Sequence, residues 1–161
     1  MTTTSAGTDS SASATADREI VITRLIDAPR ERVFEAFTDP AHVGEWWGPT
    51  GFTTTTHEMD VRPGGTWRFI MHGPDGTDYP NWITYHEVVR PERLVYDHGG
   101  ERADPEFHVT VTFADEGGRT RLTMRSLFPT AAAREYVVRE VKAIEGGNQT
   151  LDRLVQFLSS V

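Results

Sequence analysis

Tyr136-Val137-Val138-Arg139-Glu140-Val141-Lys142-Ala143-Ile144-Glu145-Gly146-Gly147-Asn148-Gln149-Thr150-Leu151-Asp152-Arg153-Leu154-Val155-Gln156-Phe157-Leu158 carries the longest helical signature in the chain. Apolar residues fall at Tyr136, Val137, Val141, Ile144, Leu151, Leu154, Val155 and Leu158, the spacing of an amphipathic helix with one buried face. This pattern predicts one helix over residues 130–160. Gly146 and Gly147 lie inside it, where each costs about 1 kcal/mol relative to alanine. Two readings account for that cost: a kink where the helix passes over a cavity, or, more plainly, a tight packing point or two shorter helices meeting.

Upstream, the chain reads as strands. Residues 19–26 are β-branched and apolar and end at Asp27-Ala28-Pro29. Pro29 suits the first turn of a short helix, which Asp27 or a neighbour can cap, and Asp39-Pro40 opens a second, residues 41–47, closed by Gly48-Pro49. From Phe52 the pattern alternates, with turn signals at regular intervals, which predicts an antiparallel meander over residues 52–61, 66–72, 79–89, 93–97, 107–114 and 120–127. Gly73-Pro74-Asp75-Gly76 is the clearest hairpin signal, and His98 to Pro105 reads as a polar loop. Seven strands, two short helices between the first and second, and a terminal helix make an α+β domain. Its curved sheet must bury one face against that helix.

Period two sorts the strands into faces. Trp67, Phe69 and Met71 share one side of their strand. Phe107, Val109, Val111 and Phe113 share another, as do Leu122, Met124 and Ser126. Trp82, Ile83 and Tyr85 cannot all point inward without a bulge. Tyr96, Phe52 and either Trp46 or Trp47 join the inner face. These side chains either fill the interior or wall a cavity. An empty void of ~300 Å³ would cost on the order of 7 kcal/mol at ~24 cal/mol per Å³, so a cavity must hold water or a ligand.

The 161 residues suit one domain, expected over 18–161 behind a disordered Thr/Ser/Ala-rich tail, 1–17. A net charge of −8, with Lys142 the only lysine, argues against nucleic acid as a partner. No apolar run is long enough for membrane insertion. The absence of cysteine excludes disulfides and thiolate chemistry. With no leader-like segment, the expected location is cytoplasmic, and the expected state is a monomer or weak dimer.

Several segments together carry a resemblance: residues 27–40 from Asp27-Ala28-Pro29 to Asp39-Pro40, Glu45-Trp46-Trp47-Gly48-Pro49, Met59-Asp60-Val61-Arg62-Pro63-Gly64-Gly65, Val89-Arg90-Pro91-Glu92-Arg93-Leu94-Val95-Tyr96, and Gly146 to Leu154. In this order they resemble the bacterial branch of the activator-of-Hsp90-ATPase homologue family, within the START-like (Bet v 1-like, SRPBCC) superfamily. The resemblance implies a helix-grip fold, in which a bent seven-stranded sheet wraps the C-terminal helix around a pocket. It also implies relatives that bind lipids or polycyclic natural products, beside others that are cyclases, hydrolases or co-chaperones. Fold is therefore fixed better than function.

The chemistry-bearing residues are few. His57 points away from Glu58 and Asp60 on a strand, so no metal site is expected there. His72, His86 and His108 read as solvated histidines of the outer face. Glu58 and Asp60 share a face and are either a structural pair or, if concave, a ligand-orienting or basic pair. Ser126 has no histidine and acid placed beside it by a motif. Asn148-Gln149-Thr150 fits a glycosylation sequon only by coincidence. No cofactor or metal is expected. The leading expectation is a non-catalytic pocket for a hydrophobic small molecule, walled by Trp46, Phe52, Trp67, Phe69, Met71, Tyr85, Tyr96 and Met124. Gly146-Gly147 would mark where the helix admits the ligand, and Glu58, Asp60 or Gln149 would supply specificity. A cyclase or hydrolase using Glu58, Asp60 or Tyr85, and an Hsp90-type chaperone partner, are the alternatives.

Overall fold

Among the described residues seven antiparallel strands form one sheet, in which the second to the seventh run as a continuous meander and the first adds to its far edge beside the seventh. The computed structural model describes residues 15–100 and 105–160. The strands are β1 (Glu19–Ile26), β2 (Thr53–Met59), β3 (Thr66–His72), β4 (Asp78–Val89), β5 (Arg93–Gly99), β6 (Pro105–Glu116) and β7 (Arg119–Leu127). The helices are α1 (Arg30–Thr38), α2 (Pro40–Trp46), α3 (Ala131–Arg139) and α4 (Ala143–Ser160). The expected α+β architecture, with two short helices after the first strand and a long one at the end, is the one observed. Among the described residues no helix is long and apolar enough to cross a membrane.

Local chemistry explains most boundaries. Asp39 caps α2, its carboxylate accepting the Ala41 N–H at 2.9 Å, and Pro40 takes the first turn, where no N–H is needed. Thr130 caps α3 through the Ala133 N–H. No side chain caps α1: Pro29 occupies that position, and Asp27 does not serve. In β4, Ile83 and Tyr85 point inward, while the Trp82 ring lies under the Arg68 guanidinium, 4.7 Å from its centroid. Regular alternation from Trp82 to Tyr85 puts Trp82 on the outer face, and the bulge in β4 comes only after Tyr85. The loop expected from His98 is shorter, because β5 runs to Gly99; residues 101–104 of that loop lie outside the described residues.

The helical run expected over residues 130–160 is two helices, one of the alternatives the glycines raised, but they do not meet at the glycines. The break falls at Glu140–Lys142, where Lys142 adopts a left-handed φ of 58°. The glycine pair does not cause it, since α4 continues through both residues. At Gly147 a Cβ would stand 2.6 Å from Ile22 Cδ1, and at Gly146 one would stand 3.4 Å from Pro49 Cγ. The glycines let α4 press onto β1 and the loop after α2, which is the packing reading of the sequence.

Leu151, Leu154 and Leu158 bury the apolar stripe of α4 in a core that includes Val33, Phe34, Phe37, Trp46, Val111, Phe113 and Leu122. At its edge, Arg24 on β1 reaches Asp152 at 2.6 Å and the Asn148 side chain at 3.1 Å. Of the tail expected over 1–17, residues 1–14 lie outside the described residues. Thr15 accepts the Arg18 N–H at 2.9 Å, and its hydroxyl donates to the Glu19 carboxylate. Glu19 also takes a two-pronged contact from Arg125, at 3.0 and 2.8 Å.

Hydrogen bonds from Arg125 and then Thr15 hold the Glu19 carboxyl down to about 2. A depressed carboxyl stabilises the fold fully above its unfolded value, near 4.5, and that contribution is lost as pH falls toward 2. Because Arg125 is partly solvated, the contribution is on the order of 1 kcal/mol. Urea unfolding at pH 6 and pH 2.5 checks it: Glu19→Gln is expected to be less stable than wild type at pH 6, with the difference shrinking at pH 2.5.

Candidate functional site

The sheet fills unevenly, and the hollow follows from that. Toward α1 and α2, bulky rings interlock: Trp67 stacks on Phe69 at 4.0 Å, Trp47 meets Trp67 at 4.9 Å, and Tyr85 meets Tyr96 at 6.0 Å. Only about 10 Å³ remains among them. Toward α3 and the start of α4 the inner positions are smaller, with Ile20 and Ile22 on β1, Val109 on β6 and Ser126 on β7. The helix above presents Gly146 and Gly147, which have no side chains. Between these surfaces lies a cavity of about 430 Å³.

Its floor and walls also include Met71, Tyr96, His98, Phe107, Met124 and Phe128, while Tyr136, Val137, Val141 and Lys142 border it from α3 and the break. Leu151 at its inner end is fully buried, whereas Tyr136 and Val141 are 61% and 59% exposed. The hollow therefore runs from the core to solvent. Left empty it would cost on the order of 10 kcal/mol at ~24 cal/mol per Å³, too much against a typical total of ~5–15 kcal/mol, so it must hold water or a guest.

Arg153 fixes one rim. Its Nη1 donates to the carbonyls of Gly48 at 2.8 Å and Pro49 at 3.1 Å, pinning the loop after α2 against α4. Outside this rim an open groove of about 860 Å³ shares Pro49, Met71, Glu106, Val141, Lys142 and Gly146 with the cavity, so the two are continuous. The groove adds Phe52, Tyr79, Pro80, Asn81 and Gln149. Its described rim carries the carboxyl groups of Asp78, Glu106, Glu140 and Glu145 against the ammonium of Lys142, and is acidic.

Few polar groups face the interior. His98 Nε2 lies 2.7 Å from Asn81 Oδ1, and Asn81 Nδ2 donates to the Tyr79 carbonyl. That orientation leaves the amide oxygen as acceptor, so His98 carries its proton on Nε2 and offers Nδ1 as an acceptor. Burial pushes His98 down to about 4, which keeps it neutral near pH 7. Burial also pushes the Tyr96 hydroxyl well above the usual phenol range, making it a donor and no base. With Ser126, these groups can orient a guest by one or two hydrogen bonds within apolar walls.

Of the residues expected to form the wall, Met71, Tyr96, Met124, Gly146 and Gly147 line the cavity. Phe52 and Gln149 line the outer groove, where Gln149 also accepts the Thr50 N–H at 3.2 Å. The remaining six lie elsewhere. Trp46 is fully buried against Phe37, and its indole donates to the Ala36 carbonyl, so Trp47 is the tryptophan that reaches the cavity. Trp67, Phe69 and Tyr85 belong to the solid aromatic end. Glu58 is exposed beside Arg68 and Thr66, and Asp60 is tied to Arg62 at 2.7 Å, so neither carboxylate reaches the cavity.

Sequence reasoning missed Ile20, Ile22, Pro49, His98 and the border formed by Val141 and Lys142. Alternation in β1 could have supplied the two isoleucines. The outer histidines also separate: His72 pairs with Asp78 and Thr55, while His86 and His108 share Asp97.

Comparison with known proteins places this geometry. The family described as activator of Hsp90 ATPase homolog 1-like protein matches residues 27–159. A search of curated proteins finds no match. Among solved structures, a protein from Arthrobacter aurescens is 25% identical with a TM-score of 0.83, over 91% of this chain and 89% of that one. One from Mycobacterium smegmatis is 26% identical with a TM-score of 0.81, over 91% and 94%. One from Nitrosomonas europaea is 24% identical with a TM-score of 0.82, over 90% and 96%, a likeness of fold.

Proposed function

The chain belongs to the activator of Hsp90 ATPase homolog 1-like family, and from that premise we propose that it binds a largely apolar small molecule, neutral or cationic, between its sheet and C-terminal helix. The observation that carries this reading is the cavity of about 430 Å³ beneath Gly146 and Gly147, with apolar walls and a route to solvent. A space of that size suits a ligand of two or three fused rings or a medium alkyl chain. Tyr96, His98 and Ser126 supply the few polar contacts that orient it. The acidic rim supports the preference in charge, because an anionic head would sit among Glu106, Glu140 and Glu145 with only Lys142, among the described residues, to offset them.

A cyclase or hydrolase reading has less support, since Glu58 and Asp60 lie outside the cavity and Tyr85 is packed among rings away from it. The test is a fluorescence titration with the neutral probe N-phenyl-1-naphthylamine, followed by competition with decanol and decanoate. Saturable binding at one probe per chain is expected, with decanol displacing it at a concentration at least ~10-fold below decanoate, about 1.4 kcal/mol of discrimination. No saturable signal, or stronger competition by decanoate, would contradict the reading.

A further inference from the structure

We propose that His86, Asp97 and His108 form a binding site for a divalent transition-metal ion of the zinc type, on the face of the sheet opposite the cavity. The three residues come from the adjacent strands β4, β5 and β6. Asp97 lies between Tyr96 and His98, which both line the cavity, and itself faces outward. His108 stands directly across from it in register.

His86 arrives by a different route. Tyr85 pairs with Tyr96 and Glu87 with Val95, so His86 is an extra residue in β4. A bulge of this kind re-aims a side chain that regular pairing would place elsewhere. Here it brings the His86 ring to Asp97. Its Nε2 lies 2.7 Å from Asp97 Oδ2, and His108 Nδ1 lies 2.8 Å from Asp97 Oδ1. The rings are 6.0 Å apart and within 30° of parallel. One ligand atom from each residue can be chosen so that all lie within 4.8 Å of one another.

Zinc sits about 2.0–2.2 Å from nitrogen and oxygen ligands, which sets the ligand atoms roughly 3.3 Å apart in a tetrahedral site. The present separations bracket that value. His86 and His108 are 47% and 42% exposed in their side chains, so both rings can turn by the small amount required. Each ring donates an N–H to the carboxylate in the metal-free protein. On entry of the ion each neutral ring shifts its proton, by exchange with solvent, to the ring nitrogen facing away from Asp97, and the freed lone pair binds the metal, so both histidines ligate as neutral imidazoles. Two imidazoles and one carboxylate favour zinc, nickel or copper over calcium and magnesium, and water takes the remaining positions. His72 with Asp78 is an exposed pair with only one imidazole, and so provides an internal control.

The experiment titrates Zn²⁺ into the untagged full chain against a chromophoric chelator. One equivalent is expected to bind. Second-sphere changes alone weaken metal sites by 10–100-fold, so His86→Ala, His108→Ala and Asp97→Asn are each expected to weaken binding at least ~10-fold. His72→Ala is expected to leave it unchanged. Zn²⁺ should also raise the melting temperature of the wild type and not that of the His86→Ala/His108→Ala double variant, with circular dichroism confirming that each variant is folded. Equal affinity in wild type and double variant, or an equal loss in His72→Ala, would overturn the assignment.

Discussion

Ser126→Trp is expected to weaken probe binding at least ~30-fold, about 2 kcal/mol, while raising stability by ~1 kcal/mol. Ser126 lies on the cavity floor between Ile20 and Val109, its partners across β1 and β6. An indole there occupies the space a guest would need. In a close-packed core so large an insertion costs ~1–3 kcal/mol through forced rotamers and backbone shifts. In the hollow it meets open volume, and each ~100 Å³ filled recovers up to ~2 kcal/mol at ~24 cal/mol per Å³, less whatever the displaced water contributed. Binding and stability therefore move in opposite directions. Urea unfolding beside the probe titration measures both, and a loss of stability would mean the floor is already filled.

Trp46→Ala is expected to do the reverse and destabilise the protein by ~3–5 kcal/mol. Trp46 is fully buried and packs edge-on against Phe37 at 4.8 Å. Its indole N–H satisfies the Ala36 carbonyl at 3.0 Å, which the variant leaves without that partner. A domain of this size has ~5–15 kcal/mol in hand, so the variant sits near the edge of unfolding at room temperature. Trp46→Phe keeps most of the packing, loses the hydrogen bond, and is expected to cost ~1–2 kcal/mol. Folded Trp46→Phe should bind the probe as the wild type does. A large loss of affinity at unchanged stability would return Trp46 to the ligand wall.

The two tryptophans show where sequence reading stops. Both belong to one short amphipathic segment, and period alone places the pair near the sheet without saying which ring reaches a hollow. That depends on how α2 meets α1, and the Ala36 carbonyl settles it by holding the Trp46 indole. The strands were legible because alternation and turn residues agree at nearly every boundary. Their inner faces followed wherever the pairing is regular, as for Trp67, Phe69, Val109 and Met124.

Bulges mark where that reasoning failed. Between Thr56 and Glu58 the pairing of β2 shifts, so the partly buried positions run Thr54, Thr56 and then Met59, and Glu58 is exposed. Two carboxylates read as one face thus lost any claim on the interior. The shift after Tyr85 had the opposite effect, turning His86 toward Asp97. Nothing in the local residue types announces either irregularity.

The helix break was displaced for a related reason. Glu140-Val141-Lys142 contains neither glycine nor proline and has acceptable helix propensity, yet tertiary packing overrides it with a left-handed Lys142. Gly146-Gly147 offered a more obvious breaking point, and in the fold they serve close approach instead. The cavity was legible only as an inventory of large side chains. Where they interlock and where smaller residues leave space depends on the curvature of the sheet beneath α4, which no single strand encodes.

Methionine-methyl NMR with N-phenyl-1-naphthylamine tests the central claim most directly, because Met71 and Met124 line the hollow and Met59 does not. On titration the Met71 and Met124 resonances are expected to shift together and saturate at one equivalent, with Met59 unmoved. Unshifted Met71 and Met124 methyls while the probe binds, or equal shifts at Met59, would place the guest outside the space between sheet and helix and contradict the account.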